Sequence, residues 1–243
     1  MSSTDDQYAP ETLRERLRDV RRRIDRAVEQ RKYGDGDVEL IAVSKTHPVE
    51  AIETLYDSGV RSFGASYVQE WEDKVDELPD DIRWHFVGRL QSNKAKRVAD
   101  RVAMVHSIDR KSVTKKLAKR CDEPMDVLLQ VDPAGQDSKG GVAPEGIENL
   151  MDLVADYPTL RVRGLMGMPP YVDDPEDNRP HFRRLRETLQ RLQDYVESNY
   201  PERREGLEEL SMGMTNDFEV AIEEGATMIR LGTALFGKRD YDD

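Results

Sequence analysis

Leu40-Ile41-Ala42-Val43-Ser44-Lys45-Thr46, near one end of the chain, and Thr227-Met228-Ile229-Arg230-Leu231-Gly232-Thr233-Ala234-Leu235-Phe236-Gly237, near the other, decide how this sequence is read. The first is an apolar run that stops on a lysine. The second is an apolar run with an arginine inside it, turning at Gly-Thr into another short apolar stretch. Both have the form of a buried parallel strand followed by a polar turn. A lysine at a strand mouth can form a Schiff base with an aldehyde. A Gly-Thr at a strand-to-helix junction can hold a phosphate.

Between these segments, short apolar runs alternate with longer amphipathic ones, the pattern of a parallel sheet covered by helices. Strands are expected at residues 40–44, 61–64, 83–87, 104–108, 126–131, 163–166, 210–212 and 228–231. Helical patterns fall at 49–57, 68–77, 93–100, 111–119, 146–156, 177–198 and 217–223, with a short terminal helix after the last strand. An opening helix over 10–32 carries Leu13, Leu17, Val20, Ile24 and Val28 on one face and ends at Gly34-Asp35-Gly36-Asp37. The pattern predicts an α/β chain: a single (β/α)8 TIM-type barrel domain spanning residues 1–243, with an additional N-terminal helix and a disordered tail over residues 1–9. The alternative is a doubly wound open sheet, but the Gly-x-Gly-x-x-Gly turn after the first strand is absent. The acidic loop 169–180 is expected to be a mobile insertion over the barrel mouth.

A net charge of -12, from 37 basic and 49 acidic residues, argues against a nucleic-acid partner. The single cysteine, Cys121, excludes an internal disulfide framework and fits a reducing compartment. The start of the chain, Met1-Ser2-Ser3-Thr4-Asp5-Asp6, lacks the pattern of a signal peptide, and no apolar run approaches the roughly 18 residues of a membrane span. A cytoplasmic protein without membrane contact is expected.

Barrel active sites lie at the carboxyl ends of the strands. Lys45 sits at such an end, where partial desolvation would lower its pKa and favour attack on an aldehyde; its bland alternative is a solvated lysine opening a loop. Gly232 and Thr233 follow the eighth strand, where barrels often hold phosphate, and Thr233 equally fits an ordinary helix N-cap. Ser211 could add a second hydroxyl. Arg230 needs a buried partner, either an internal carboxylate or a heterocyclic nitrogen; toward the latter it would remain a donor and leave the nitrogen unprotonated.

Met166-Gly167-Met168 and Met212-Gly213-Met214 follow the sixth and seventh strands, where the glycines would let backbone approach a flat ligand and the thioethers would pack on its ring. The histidines His47, His85, His106 and His181 show no metal-ligand spacing, so no metal is expected. His85 reads as a satisfied barrel histidine, Cys121 as an inert thiol and the arginine-rich run 14–31 as a solvated face.

Taken together, the sequence resembles the pyridoxal phosphate homeostasis (YggS/PROSC) family, which is similar to the N-terminal barrel of alanine racemase. The resemblance rests on Ile41-Ala42-Val43-Ser44-Lys45-Thr46, Phe63-Gly64 with Tyr67-Val68-Gln69-Glu70, Trp84-His85-Phe86-Val87-Gly88-Arg89-Leu90-Gln91-Ser92-Asn93-Lys94, Gly164-Leu165-Met166-Gly167-Met168-Pro169, and the long stretch from Leu210-Ser211-Met212-Gly213-Met214-Thr215-Asn216-Asp217 to Gly237. It implies that Lys45 carries pyridoxal 5'-phosphate (PLP) as an internal aldimine. It further implies that Arg230 faces the pyridine nitrogen and that Ser211, Gly232 and Thr233 help hold the phosphate. The family usually reads Phe-Gly-Glu-Asn-Tyr where this chain has Phe63-Gly64-Ala65-Ser66-Tyr67, so Ser66 stands at a position near the cofactor.

Racemisation needs acid–base groups on both faces of the substrate carbon. Alanine racemases draw the second from a tyrosine on an additional C-terminal domain, for which the sequence after the eighth strand leaves no room; Tyr241 is a weak substitute. The expectation is a monomeric PLP carrier or regulator without robust catalysis, with apo-PLP enzymes as further partners. A low-activity racemase, a PLP-free Schiff-base lyase and an interaction module are the alternatives.

Overall fold

The apolar runs become eight parallel strands in a closed barrel, ordered β1 to β8 around the ring, with β8 returning to β1. In the computed structural model, residues 7–135 and 140–238 are described. The strands are β1 (Glu39–Val43), β2 (Ser62–Ala65), β3 (Arg83–Phe86), β4 (Met104–Ile108), β5 (Met125–Val131), β6 (Leu160–Gly167), β7 (Glu209–Ser211) and β8 (Met228–Leu231). This is the expected (β/α)8 barrel with its N-terminal helix.

The period-two alternation of strand side chains separates two apolar environments. Ala42, Phe63, Trp84, Val105, Val127, Leu165 and Ile229 belong to the large core between the barrel and its helices. Ile41, Met104, Leu128, Met166 and Met228 form a separate small cluster inside the barrel. Two residues further along their strands come His106, Gln130 and Arg230, all buried. The interior is therefore polar toward the carboxyl ends, while at the level of the apolar cluster His85, in register with Met104, adds one buried polar side chain.

The opening helix (Pro10–Gln30) begins at Pro10, where the missing N–H breaks no helical bond, and buries Leu13, Leu17, Val20, Ile24 and Ala27. It packs on the helices Val49–Asp57, Phe218–Glu223 and Thr233–Phe236. The helix after β8 is a single turn and cannot cover the β8–β1 seam, so the N-terminal helix supplies that cover. Its arginines are not all solvated: Arg23 makes a two-pronged contact with Glu219 at 3.0 and 2.7 Å and lies over the Phe218 ring. The solvated-face reading holds for Arg22 and Arg26, whose side chains stay on the exposed surface, and fails for Arg23.

Two elements differ in form from the periodicity. The helix expected over 93–100 is a 3-10 turn, Ser92–Lys94, followed by Ala95–Val98, because Ala99 is extended and Asp100 has φ +56°. Strand β6 starts at Leu160, since Arg161 and Arg163 reach Asp126 on β5 while Leu160 and Val162 are buried between them. Of the expected 1–9 tail, residues 1–6 lie outside the described residues; Arg16 holds the Gln7 carbonyl at 2.9 Å, and the Tyr8 hydroxyl meets His47 Nδ1 at 2.9 Å. Tyr241 also lies outside them. No helix among the described residues is long and apolar enough to cross a membrane.

Candidate functional site

Lys45 follows β1 by two residues and is half-buried in the wall of the cavity at the barrel's carboxyl end. The next residue, Thr46, has φ +65°, a conformation that a β-branched side chain disfavours by the order of 1–3 kcal/mol. Side chains from the helix Val68–Val75 hold the turn in place. Glu70 Oε1 accepts the Thr46 N–H at 2.5 Å, and Lys74 Nζ bridges Glu70 at 2.7 Å and the His47 carbonyl at 2.6 Å. On the other side the His47 ring stacks on Phe236 at 4.4 Å, which ties this turn to the helix that follows β8.

The register of β1 against β8 sets Ile41 opposite Arg230 and Ala42 opposite Leu231. Lys45 and the Gly232-Thr233 turn therefore leave neighbouring strands at the same end. Both line one cavity of about 1020 Å³, together with Ser66 and Arg230. The charged side chains in that lining are Lys45, Arg89, Lys94 and Arg230 against the single carboxylate of Asp217. A chain of net charge -12 thus presents a cationic cavity at its barrel mouth. Asp217 is itself engaged, accepting from the Met214 N–H and from Asn178 Nδ2, each at 2.8 Å.

Arg230 is 6% exposed and stands at the inner end of the cavity. Its Nη1 donates to Ser211 Oγ at 2.7 Å and its Nη2 to the Gly167 carbonyl at 3.0 Å. Burial pulls its pKa down to about 10, partly opposed by Asp217, so the guanidinium is charged at neutral pH. Ser211 is fully buried, lies outside the cavity lining and is shared between Arg230 and His106 Nδ1 at 2.9 Å. Ser211, expected at the phosphate, is bonded here to Arg230 and points into the barrel rather than into its mouth.

The Met-Gly-Met pairs divide differently from expectation. Met166, Met168 and Met214 line the cavity, whereas Met212 is buried in the outer core. Both glycines are also required by helix packing. A Cβ on Gly167 would lie 2.7 Å from the Leu185 side chain, and one on Gly213, which has φ +90°, 2.6 Å from Ala221.

Gly232 turns the chain into the helix Thr233–Phe236, and its carbonyl accepts the N–H groups of Leu235 and Phe236. Thr233 is exposed at the cavity wall. The Ala234 N–H meets Thr215 Oγ1 at 3.1 Å, which brings a second threonine to the same corner. Thr215 and Glu70 lie in stretches that carry the resemblance, but sequence alone assigns neither a role. Their signal was position alone: a hydroxyl in the turn after β7, and a carboxylate one helical turn after Ser66.

The loop over 169–180 lies over the mouth through Pro170, Tyr171 and Val172. It is fastened by Asn178 Nδ2 to the Pro170 carbonyl and by Asn216 Nδ2 to the Val172 carbonyl, at 3.0 and 2.8 Å. Cys121 is buried, donates to the Leu117 carbonyl and has its pKa pushed up to about 11 by burial, which makes it a poor nucleophile. Among the described residues no group of three or more His, Cys, Asp or Glu side chains could hold a metal ion.

The barrel, with a lysine after β1 and an arginine inside β8, defines a class: residues 16–240 match the family described as "Alanine racemase, N-terminal domain". Alanine racemase from Corynebacterium glutamicum shares that fold at 15% identity and a TM-score of 0.69, over 95% of this chain and 62% of that enzyme. Within the class the likeness is narrower. The pyridoxal phosphate homeostasis protein of Aquifex aeolicus is 44% identical over 231 residues, 93% of this chain and 98% of that protein. PipY of Synechococcus elongatus, solved with PLP bound, is 32% identical with a TM-score of 0.76, over 93% of this chain and 100% of that one. The chain belongs to the pyridoxal phosphate homeostasis protein family.

Proposed function

We propose that this protein binds PLP reversibly, as a Schiff base on Lys45, and serves intracellular PLP homeostasis as a carrier or regulator. One observation carries the reading: Lys45, Arg230 and the Gly232-Thr233 turn line a single cavity whose charged lining is four cations to one carboxylate. The donor set suits the ligand. An aldehyde needs an amine, and Lys45 is half-buried at the wall. A phosphate needs positive charge, which the cationic lining supplies, and hydroxyls, which Thr215 and Thr233 bring to one corner. A flat ring needs apolar walls, here Val43, Phe86, Met166 and Met168. The family kinship and the PLP-bound relative point the same way.

Bound PLP supplies an electrophilic aldehyde and an electron-accepting ring. The protein's own groups set how much of that chemistry is used. Arg230 keeps its proton and can only donate to the ring nitrogen, which leaves the ring a weaker electron sink than a protonated pyridine. The held turn of Thr46 keeps Lys45 at the cavity wall. Ser66, also in the lining, offers a short hydroxyl directly or through water. This arrangement favours capture and release over turnover, with apo-PLP enzymes as recipients.

Absorbance of the purified protein with and without added PLP tests the reading. A visible Schiff-base band that appears on addition and vanishes in Lys45→Ala supports it. Absence of the band from PLP-reconstituted protein removes it in favour of a PLP-free lyase. Robust interconversion of L- and D-alanine or serine, read by chiral chromatography, would replace the carrier with a racemase.

A further inference from the structure

The barrel interior holds a chain of polar groups that the cavity chemistry leaves unused. Below Arg230, Ser211 Oγ meets His106 Nδ1 at 2.9 Å, and His106 Nε2 meets His85 Nδ1 at 3.0 Å. His85 Nε2 lies 3.7 Å from Glu39 Oε1, near the amino-terminal rim. There Glu39 also accepts from Ser62 Oγ at 2.5 Å and pairs with Arg83 at 3.0 Å. Both imidazoles and Ser211 are fully buried. The groups come from β8, β7, β4, β3, β1 and β2 and run from one end of the barrel to the other.

Arg230 at one end and the Glu39 carboxylate at the other set the direction of these hydrogen bonds; at 3.7 Å the His85 Nε2 contact with Glu39 is electrostatic and not itself a hydrogen bond. Arg230 can only donate, so Ser211 accepts from it and has one proton left to give. Giving it to His106 Nδ1 puts the His106 proton on Nε2, where it is donated to His85 Nδ1. The His85 proton then sits on Nε2, facing the Glu39 carboxylate. The reverse order would aim the His85 Nε2 lone pair at that carboxylate, a repulsion that buried surroundings amplify. A cation at the top and a carboxylate at the bottom thus select one tautomer for both rings. Burial, helped by Arg230 on one side and Arg83 on the other, keeps the rings neutral.

We propose that His106 and His85 are positioning residues, a one-way hydrogen-bond relay that fixes Ser211 as acceptor for Arg230 and so aims the guanidinium at the cofactor. The proposal rests on the reading of Arg230 as partner of the pyridine nitrogen, and deepens it. Without the relay the Ser211 proton would lose the His106 acceptor, and a buried hydroxyl with an unsatisfied proton would be free to leave the rotamer that meets Arg230. The guanidinium would then hold its place through the Gly167 carbonyl alone.

Long-range proton–nitrogen NMR of the imidazoles, recorded on the unmodified protein without PLP, tests the relay independently of cofactor binding. The expected result is both buried rings neutral with the proton on Nε2. A proton on Nδ1 of either ring, or an imidazolium at neutral pH, overturns the relay whatever PLP does. PLP titration then compares His106→Leu with His106→Asn, which restores an acceptor near the Nδ1 position. Leucine is expected to weaken PLP about tenfold, the effect of one hydrogen bond, and to shift its absorbance, while asparagine recovers most of both. Equal behaviour of the two variants would reduce His106 to a space-filling residue.

Discussion

The Thr46 N–H donates to Glu70 Oε1 at 2.5 Å, across the turn that presents Lys45. A threonine held at positive φ needs an outside contact to stay there, and Glu70 provides it with Lys74 as its counter-charge. Glu70→Ala is therefore expected to weaken PLP by about 1.5–3 kcal/mol, the range for loss of a charged hydrogen bond, with little change in thermal stability. Glu70→Gln, which keeps an acceptor, should lie between. A PLP titration in which Glu70→Ala matches the unmodified protein would separate the turn from binding.

Thr233 stands at the cavity wall beside Gly232, whereas Ser211 lies below it on Arg230. The two hydroxyls should thus respond differently to the phosphate. Thr233→Val is expected to weaken PLP by about 1.5–3 kcal/mol and phosphate-free pyridoxal much less. Equal weakening of both ligands would remove Thr233 from the phosphate corner.

Ser211→Ala should weaken PLP and pyridoxal alike, because it acts through the guanidinium and not through the phosphate. Paired titrations decide. A loss confined to PLP would return Ser211 to the phosphate role that the sequence suggested.

The buried histidines make stability depend on pH. Burial lowers the His85 pKa to about 4 and places His106 well below the ordinary histidine range. In the unfolded chain each titrates near about 6.5. Between that value and the folded one, the unfolded state binds more protons, so stability is complete above about 6.5 and declines as pH falls. The slope is at most about 1.4 kcal/mol per pH unit for each ring. Thermal unfolding recorded from pH 7 to pH 5 should show this decline, and His85→Gln should flatten it. A melting temperature unchanged over that window would show the rings already charged in the fold.

Much of the barrel was legible because its strands are buried on both faces and stand out as short apolar runs between amphipathic helices. Leu160-Arg161-Val162-Arg163 was the exception: there the alternation is real, but the arginines that answer Asp126 on the next strand look like loop residues until the pairing is known. That Lys45, Arg230, Gly232 and Thr233 share one cavity was legible for a simple reason: strand ends in such a barrel must converge. The direction of the Ser211 side chain was not legible, since a single residue of strand register decides between mouth and interior. His85 and His106 carried no spacing signal, because their contact spans neighbouring strands. The usable hint was that His106 follows Met104 by two residues, on the same face of the strand.

The most direct test is chemical. Borohydride reduction of the protein after incubation with PLP, followed by peptide mass spectrometry, should find one pyridoxyl-phosphate adduct, on the peptide that contains Lys45; Lys45→Ala should lose it while keeping its fold by circular dichroism. An adduct carried instead by Lys94 or another lysine, or retained in the variant, would contradict the account.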